Sequence, residues 1–586
     1  MCRSQCMKGE GGRLDRLAAA DCVQLIGPVD IMSASRVVSL SHPQVSSMKH
    51  TLLAIAGLLA VLSIDQTSLA TDHFLTIGGG YSPTGNQISL EKNVQLYQKM
   101  LDETYPDKVA HDIYFSDGDD AGRDLQHHDP TVEIPRAQLL LARIFQQTKY
   151  QDLQYRSHEI TGVRGGASKD NIEKWFSDVG AKLTAGDRLF IYITAHGGRA
   201  SDKKTPHNTG LFLWNSERCQ MSEFTKLLDR ISNDVPVVAV MVQCFSGGFA
   251  DMVFNEGDAK KGLSTAPRCG FFATVHDRVA AGCTADINEE DYHEYSSYFW
   301  AAIRGRTRTD KSIESPDYDE DGVVSLAEAH AYVLLTSTTI DIPTKTSDAF
   351  LRQYSKLPPK PASEASPNKN KKEKSSDKGE RPKAEAASSE QARDELPETD
   401  ERPAAELLSA DSNYTLLLKL ATSADFAVLE GLSAQLELAG ARRAQPVRDL
   451  AKQIKDEKKK LDGQHRKQSS ELKKIAGEIG RSVKNRWPEF ANRWHPKVNE
   501  FLEKDGVKLV KQIESHPKYA RFEELRTQIQ QLSDQRFDLD RRWVKCQRLL
   551  RSLEYVALAE NLSEVASPEV QRRYQQLVEA ESCTLN

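Results

Sequence analysis

The 586-residue chain has no large excess of either charge: 78 lysines and arginines stand against 84 aspartates and glutamates. That balance supplies no field to hold a polyanion, so nucleic acid is not expected as a main partner. No G-x-S-x-G follows a strand-like run, which removes a serine nucleophile on a sharp elbow. Gly78-Gly79-Gly80 lacks the G-x-G-x-x-G spacing of a dinucleotide loop. The adjacent His127 and His128 have no cysteine nearby and no helical spacing to turn both rings onto one zinc ion. The apolar run from Thr51 to Ile64 is too short to span a bilayer comfortably.

That run has a different use. Met48-Lys49-His50 precedes it and Ser68-Leu69-Ala70 follows, giving a basic start, an apolar core and a small-x-small cleavage site. Residues 1–70 are therefore expected to be a non-mature extension with a signal peptide, with translation starting at Met48 and the mature chain near Thr71. The expected location is exported, periplasmic or extracellular, with no stable membrane span after cleavage. An uncleaved N-terminal anchor is the alternative. Export permits disulfides among Cys219, Cys244, Cys269, Cys283, Cys546 and Cys583. A Cys269–Cys283 bridge would close a short loop, but spacing alone does not set connectivity.

Residues 71–354 alternate strand and helix. His73 to Ile77 reads as a buried strand ending at Gly78-Gly79-Gly80, and Leu90, Val94, Tyr97 and Leu101 recur at helical spacing behind Ser89 as N-cap. Asp112 to Phe115, Leu189 to Thr194 and Val237 to Val242 read as further strands. Ile172, Trp175, Phe176 and Val179 mark a helix after Ser168, and Phe224, Leu227, Leu228 and Ile231 mark another. Near-continuous apolar strands between amphipathic helices predict an α/β fold with a mostly parallel sheet flanked by helices. Residues 355–403, rich in Lys, Glu, Pro, Ser and Ala, read as a disordered charged linker. Residues 404–586 read as a helical or coiled-coil region, with Leu450, Ile454 and Leu461 beginning an apolar seam and Trp487, Phe490 and Trp494 offering core. Assembly through these helices, or cover of the site, is the role expected of them.

Two of the strands end in reactive side chains. One stops at His196-Gly197-Gly198, the other runs into Gln243-Cys244-Phe245-Ser246-Gly247-Gly248. Parallel strands share a carboxyl edge, so neighbouring strands would bring both groups to one rim. A thiol with a reference pKa of about 8.5 needs an acid–base partner near neutrality, and imidazole suits that role. The N–H groups of Gly197 and Cys244 are candidates for an oxyanion hole.

An apolar strand then His-Gly, followed by an apolar strand then x-Cys-x-Ser-Gly, resembles the caspase–haemoglobinase fold, and most closely the legumains. Gly210-Leu211-Phe212-Leu213-Trp214 is similar to an apolar hairpin strand of that family, and Phe271-Phe272-Ala273-Thr274 to the strand lining its substrate cleft. The resemblance covers about residues 72–310. It implies a cysteine endopeptidase acting on peptide or protein substrates, with Asn86 in the first loop as support for the histidine. Legumains carry Asn-Tyr-Arg-His in that loop, where this chain has Asn86-Gln87-Ile88-Ser89; Ile88 stands in the arginine's place, so support for an asparagine preference is missing. Metacaspases place an aspartate shortly before the nucleophile, where this chain has Val242-Gln243. Acids between Asp286 and Glu294 offer another way to accept a basic side chain.

Asp317 to Glu328 fits the twelve-residue EF-hand loop: Asp317, Asp319 and Asp321, then Gly322 at the turn, the Val323 carbonyl, Ser325, and Glu328 to close the site. A structural Ca²⁺ is expected there. Two other functions remain open at this point: a catalytically inactive calcium-binding scaffold, and a peptide ligase that shares the acyl-enzyme.

Overall fold

The computed structural model describes residues 71–148, 152–359, 407–492 and 495–585. The expected signal peptide, nearly all of the expected linker and Trp494 lie outside them. The strands are β1 (Asp72–Gly79), β2 (Ala110–Phe115), β3 (Leu125–His128), β4 (Leu153–Arg156), β5 (Val163–Gly165), β6 (Arg188–Gly198), β7 (Gly210–Phe212), β8 (Arg218–Gln220), β9 (Val237–Met241), β10 (Arg268–Phe272) and β11 (Thr344–Lys345). The helices of residues 71–359 are α1 (Ile88–Thr104), α2 (Arg136–Ile144), α3 (Lys169–Asp178), α4 (Met221–Leu228), α5 (Tyr295–Arg304), α6 (Leu326–Thr336) and α7 (Thr346–Tyr354). The C-terminal region holds α8 (Tyr414–Leu420), α9 (Ser423–Gln435), α10 (Ala444–Arg486), α11 (Lys497–Glu514), α12 (Tyr519–Val565) and α13 (Pro568–Glu581).

The main sheet runs β11-β10-β9-β6-β1-β2-β5, all parallel except β11, with β7 and β8 as an antiparallel extension from the end of β6. Alternating side chains feed two cores. Phe190, Tyr192, Val238 and Val240 face one side, where α5, α6, α7 and the C-terminal helices pack. Leu189, Ile191, Ile193, Val237, Ala239 and Met241 face the other, against α3 and α4. The helix after Ser168 starts as predicted, with the Ser168 hydroxyl accepting the Asn171 N–H. Ser89 is not an N-cap. The helix begins one residue earlier behind Gln87, and the Ser89 hydroxyl instead accepts the Thr284 N–H at 2.9 Å.

In the C-terminal region α10 and α12 lie antiparallel, joined by pairs whose numbers run in opposite directions: Lys458–Asp540, Asp462–Arg536 and Glu471–Arg521. Val447, Ala451 and Ile454 are buried with Leu549, Leu553 and Val556, and Leu450 and Leu461 pack against them, so the predicted seam is present. This seam is continuous with the sheet's core rather than a separate bundle. Buried Glu581 at the end of α13 accepts from Thr346 Oγ, the Ser347 N–H and Ser347 Oγ, each at 2.7 Å, and pairs with Lys345 at 3.2 Å. No helix among the described residues is long and apolar enough to cross a membrane.

Candidate active site

The strands that run into His196 and Cys244 are direct parallel neighbours, in register from Leu189 opposite Val237 to Ile193 opposite Met241. The Val242 N–H continues the ladder to the Ile193 carbonyl at 3.0 Å. His196 and Cys244 both follow this ladder at the carboxyl rim. Their backbones meet closely there. A Cβ built on Gly197 would sit 1.9 Å from the Cys244 carbonyl oxygen and 2.9 Å from its carbon. Only glycine permits that approach.

The imidazole is held from the opposite side by the first loop. His196 Nε2 lies 2.8 Å from the Gly85 carbonyl and 3.0 Å from Gln87 Oε1. A carbonyl oxygen only accepts, so neutral His196 carries its proton on Nε2 and keeps the Nδ1 lone pair as the basic position. Tyr81 packs edge-on to the ring at 5.2 Å. Asn86 does not supply this support. Its side chain is fully buried, accepts the Gly80 N–H at 3.0 Å and donates to Asp124 at 2.8 Å, and so shapes the loop that presents Gly85 and Gln87. The motif pointed to the right loop and to the wrong residue in it, because the contact to the ring is partly backbone.

Cys244 is buried at 7% exposure, and the turn after it is unusual. Phe245 has φ of 62°, a left-handed conformation that a bulky residue adopts only when its surroundings enforce it. They do so here from both sides: the Phe245 N–H donates to the Arg278 carbonyl at 2.8 Å, and its carbonyl accepts from Thr209 Oγ at 2.9 Å. The next N–H groups turn inward, Gly247 N–H donating to the Thr274 carbonyl at 2.7 Å.

A segment that sequence reasoning passed over completes the neighbourhood. After β10, residues 275–285 form a strap crossing the rim. Ala280 brackets the Cys244 sulfur: its N–H points at Sγ, 3.4 Å away, and its carbonyl lies 3.8 Å from the same atom. Thr284 pairs with Ser89 at the start of α1, and the Ala285 carbonyl accepts the His128 N–H. The acids at the far end of the strap are matched within the chain. Glu289 and buried Glu294 both pair with Arg308, and Glu290 pairs with Lys311. These three glutamates are therefore already charge-paired within the chain. Cys269 and Cys283 are not bridged to one another.

In the EF-hand-like loop, carboxylate oxygens of Asp317, Asp319 and Asp321 all lie within 4.8 Å of one another. The loop is drawn around them by Asp321 and Gly322 N–H donating to Asp317 at 3.1 and 3.0 Å, and Val323 N–H donating to Asp321 at 2.9 Å. Gly322 takes φ of 92°, as the sharp turn requires. Glu328 is buried and reaches back, accepting the Tyr318 N–H at 2.7 Å. Ser325 caps α6, accepting the Glu328 N–H. The donor set fits a hard divalent cation. On the incoming side α5 ends at Arg304 and no helix replaces it before the loop, so a helix adjoins the loop on its exiting side alone.

Burial lowers the pKa of His196 below the ordinary 6.5, against a smaller upward pull from the Gly85 carbonyl. The imidazole is thus neutral at pH 7 and available to take a proton. The His196 ring is expected to titrate below 6.5, read from the pH dependence of its imidazole NMR signals between pH 4 and 8; a midpoint above 6.5 contradicts it. For stability the sign follows from the same shift. The unfolded chain binds this proton more readily, so the contribution of His196 is complete above 6.5 and declines as pH falls toward the lower folded value.

No known protein family's profile matches the chain, and no curated protein matches it. Among solved structures, one that matches is the crystal structure of protein GSU0716 from Geobacter sulfurreducens. It is 10% identical, with a TM-score of 0.25, and the match covers 47% of this chain and 92% of that one.

Proposed function

We propose that the chain is an exported cysteine endopeptidase of caspase- or legumain-like type, in which His196 and Cys244 form the catalytic dyad. The observation that supports this reading is the β6–β9 pairing: the two strands that run into His196 and Cys244 are adjacent and parallel, so both residues follow at one carboxyl rim. Cys244 Sγ attacks the scissile carbonyl and forms a thioester, while the N–H groups of Gly197 and Cys244 bear on the oxyanion. His196 takes the thiol proton at Nδ1 and delivers it to the leaving amine. Water then attacks the acyl-enzyme, His196 again acting as base, and the carboxylic acid leaves with the thiol restored. An amine in place of that water would give ligation.

A second reading, a binding scaffold without catalysis, is favoured by the 7% exposure of Cys244. Profiling the mature chain and Cys244→Ala against a peptide library separates the two. Cleavage lost in the variant supports the enzyme, cleavage by neither supports the scaffold, and cleavage surviving in the variant removes the mechanism. Product masses with an added amine distinguish ligase from protease.

For the loop at 317–328 we propose a structural Ca²⁺, held by Asp317, Asp319, Asp321, the Val323 carbonyl and Glu328, with Ser325 contributing beside its capping role. Affinity in the millimolar range is expected of an isolated loop in an exported protein. At Ca²⁺ tenfold above Kd the folded state gains about 1.4 kcal/mol, seen as a raised Tm that Asp319→Asn abolishes. Calorimetry without heat at millimolar Ca²⁺ counts against the site.

A further inference from the structure

One cation of the C-terminal region is buried inside the sheet half of the protein. Arg548, on α12, is 1% exposed. Its guanidinium donates to the backbone carbonyls of one loop: Nε to Asp341 at 2.9 Å, and Nη1 to Ser337 at 2.9 Å and Leu334 at 3.1 Å. Nη2 reaches the Thr339 carbonyl at 3.5 Å and its hydroxyl at 3.4 Å. A planar fork of five donors suits this set; a lysine ammonium, with three donors on one atom, does not span it. The carbonyls belong to the end of α6 and the segment leading to β11.

That segment in turn grips the strap in two places. The buried Asp341 carboxylate accepts the Ala281 N–H at 2.7 Å, and the Ile340 carbonyl accepts from Arg278 Nε at 2.9 Å. The strap then meets the nucleophile in two places, through the Arg278 carbonyl on Phe245 N–H and the Ala280 N–H on Cys244 Sγ. Trp543, five residues before Arg548 on the same helix, lies beneath the Arg278 guanidinium at 5.0 Å. Burial pushes Asp341 up to about 6, against downward pulls from the Ala281 N–H first, then Arg548, Thr339 and Arg278.

We propose that Arg548 is a positioning residue for the Cys244 site: α12 holds the 337–341 segment, the segment holds the strap, and the strap sets the Ala280 amide against the sulfur. The C-terminal helices are thereby a working part of the site. The effect on reactivity rests on the cysteine-peptidase reading; the mechanical coupling does not.

The test uses the full chain in three variants: Arg548→Lys, Asp341→Ala and Asp341→Asn. The first keeps the charge and loses the fork, the second removes the acceptor of the Ala281 N–H, and the third keeps that acceptor. Iodoacetamide labelling of Cys244, located by peptide mass, is expected to slow by about tenfold to a hundredfold in Arg548→Lys and Asp341→Ala, the range that an ångström of misplacement produces. Asp341→Asn is expected to restore most of the rate, which a general loss of stability would not. Hydrogen exchange at the Ala281 amide is expected to quicken in the same two variants while β6 and β9 stay protected. Wild-type labelling and exchange in both overturn the proposal. If Arg548→Lys does not fold, Asp341→Ala against Asp341→Asn decides. If wild-type Cys244 reacts no faster than a free thiol, the peptidase reading fails, and the exchange at Ala281 still decides the coupling.

Discussion

In Cys244→Ala, cleavage of every peptide that the wild-type chain cuts is expected to fall by about 10⁴-fold or more, to the level of binding and oxyanion stabilisation alone. Two of the other thiols are unsuited to take its place. Cys219 and Cys546 are buried, with thiols pushed up to about 12 and about 11, so neither yields thiolate near neutrality. His196→Ala is expected to cost nearly as much, and the double variant little more than either, because the two groups act as one unit. Product masses from library digests measure all three. A double variant whose loss equals the sum of the single losses, in logarithmic terms, would mean that the two residues act independently.

Gly197→Ala is the second large effect, and it has a different origin. The added methyl would fall 1.9 Å from the Cys244 carbonyl oxygen and 2.8 Å from Gln243 Cγ. The first obstacle is backbone, and that backbone is tied down. The Phe245 N–H is bonded to Arg278, and the ladder runs up to Val242. Relief therefore requires β6 and β9 to part at the rim. We expect a stability loss of about 1–3 kcal/mol by chemical denaturation, the usual cost of forced overpacking. Activity should fall further than that figure implies, because the displaced atoms are the ones that hold the dyad together. A variant with wild-type cleavage would show that the two strands do not need this approach.

The strands that position the site were legible because buried parallel strands are continuous apolar runs, as in Leu189 to Thr194 and Val237 to Val242. Their adjacency was an assumption, and the β6–β9 pairing satisfies it. The clustering of Asp317, Asp319 and Asp321 was legible for another reason, since the three carboxylates alternate along one short loop whose turn is marked by Gly322. What escaped was long-range and made of backbone. The Gly85 carbonyl, the Ala280 amide and the Ile340 carbonyl carry no side-chain signature, and any residue type can present them. Ser89 was misread because a hydroxyl near a helix start has two uses, capping and tertiary bonding, and spacing does not choose between them. Arg548 was invisible among the many charges of α12: a buried guanidinium and a solvated one look alike in a row of letters.

The ties at Glu581 and Arg548 also say what joins the two halves of the chain. They run from one side of the stretch at 360–406 to the other without passing through it, and both ends are sealed into a common interior. The attachment of residues 407–585 to residues 71–359 therefore rests on buried contacts of its own, ion-paired at Glu581 and forked at Arg548.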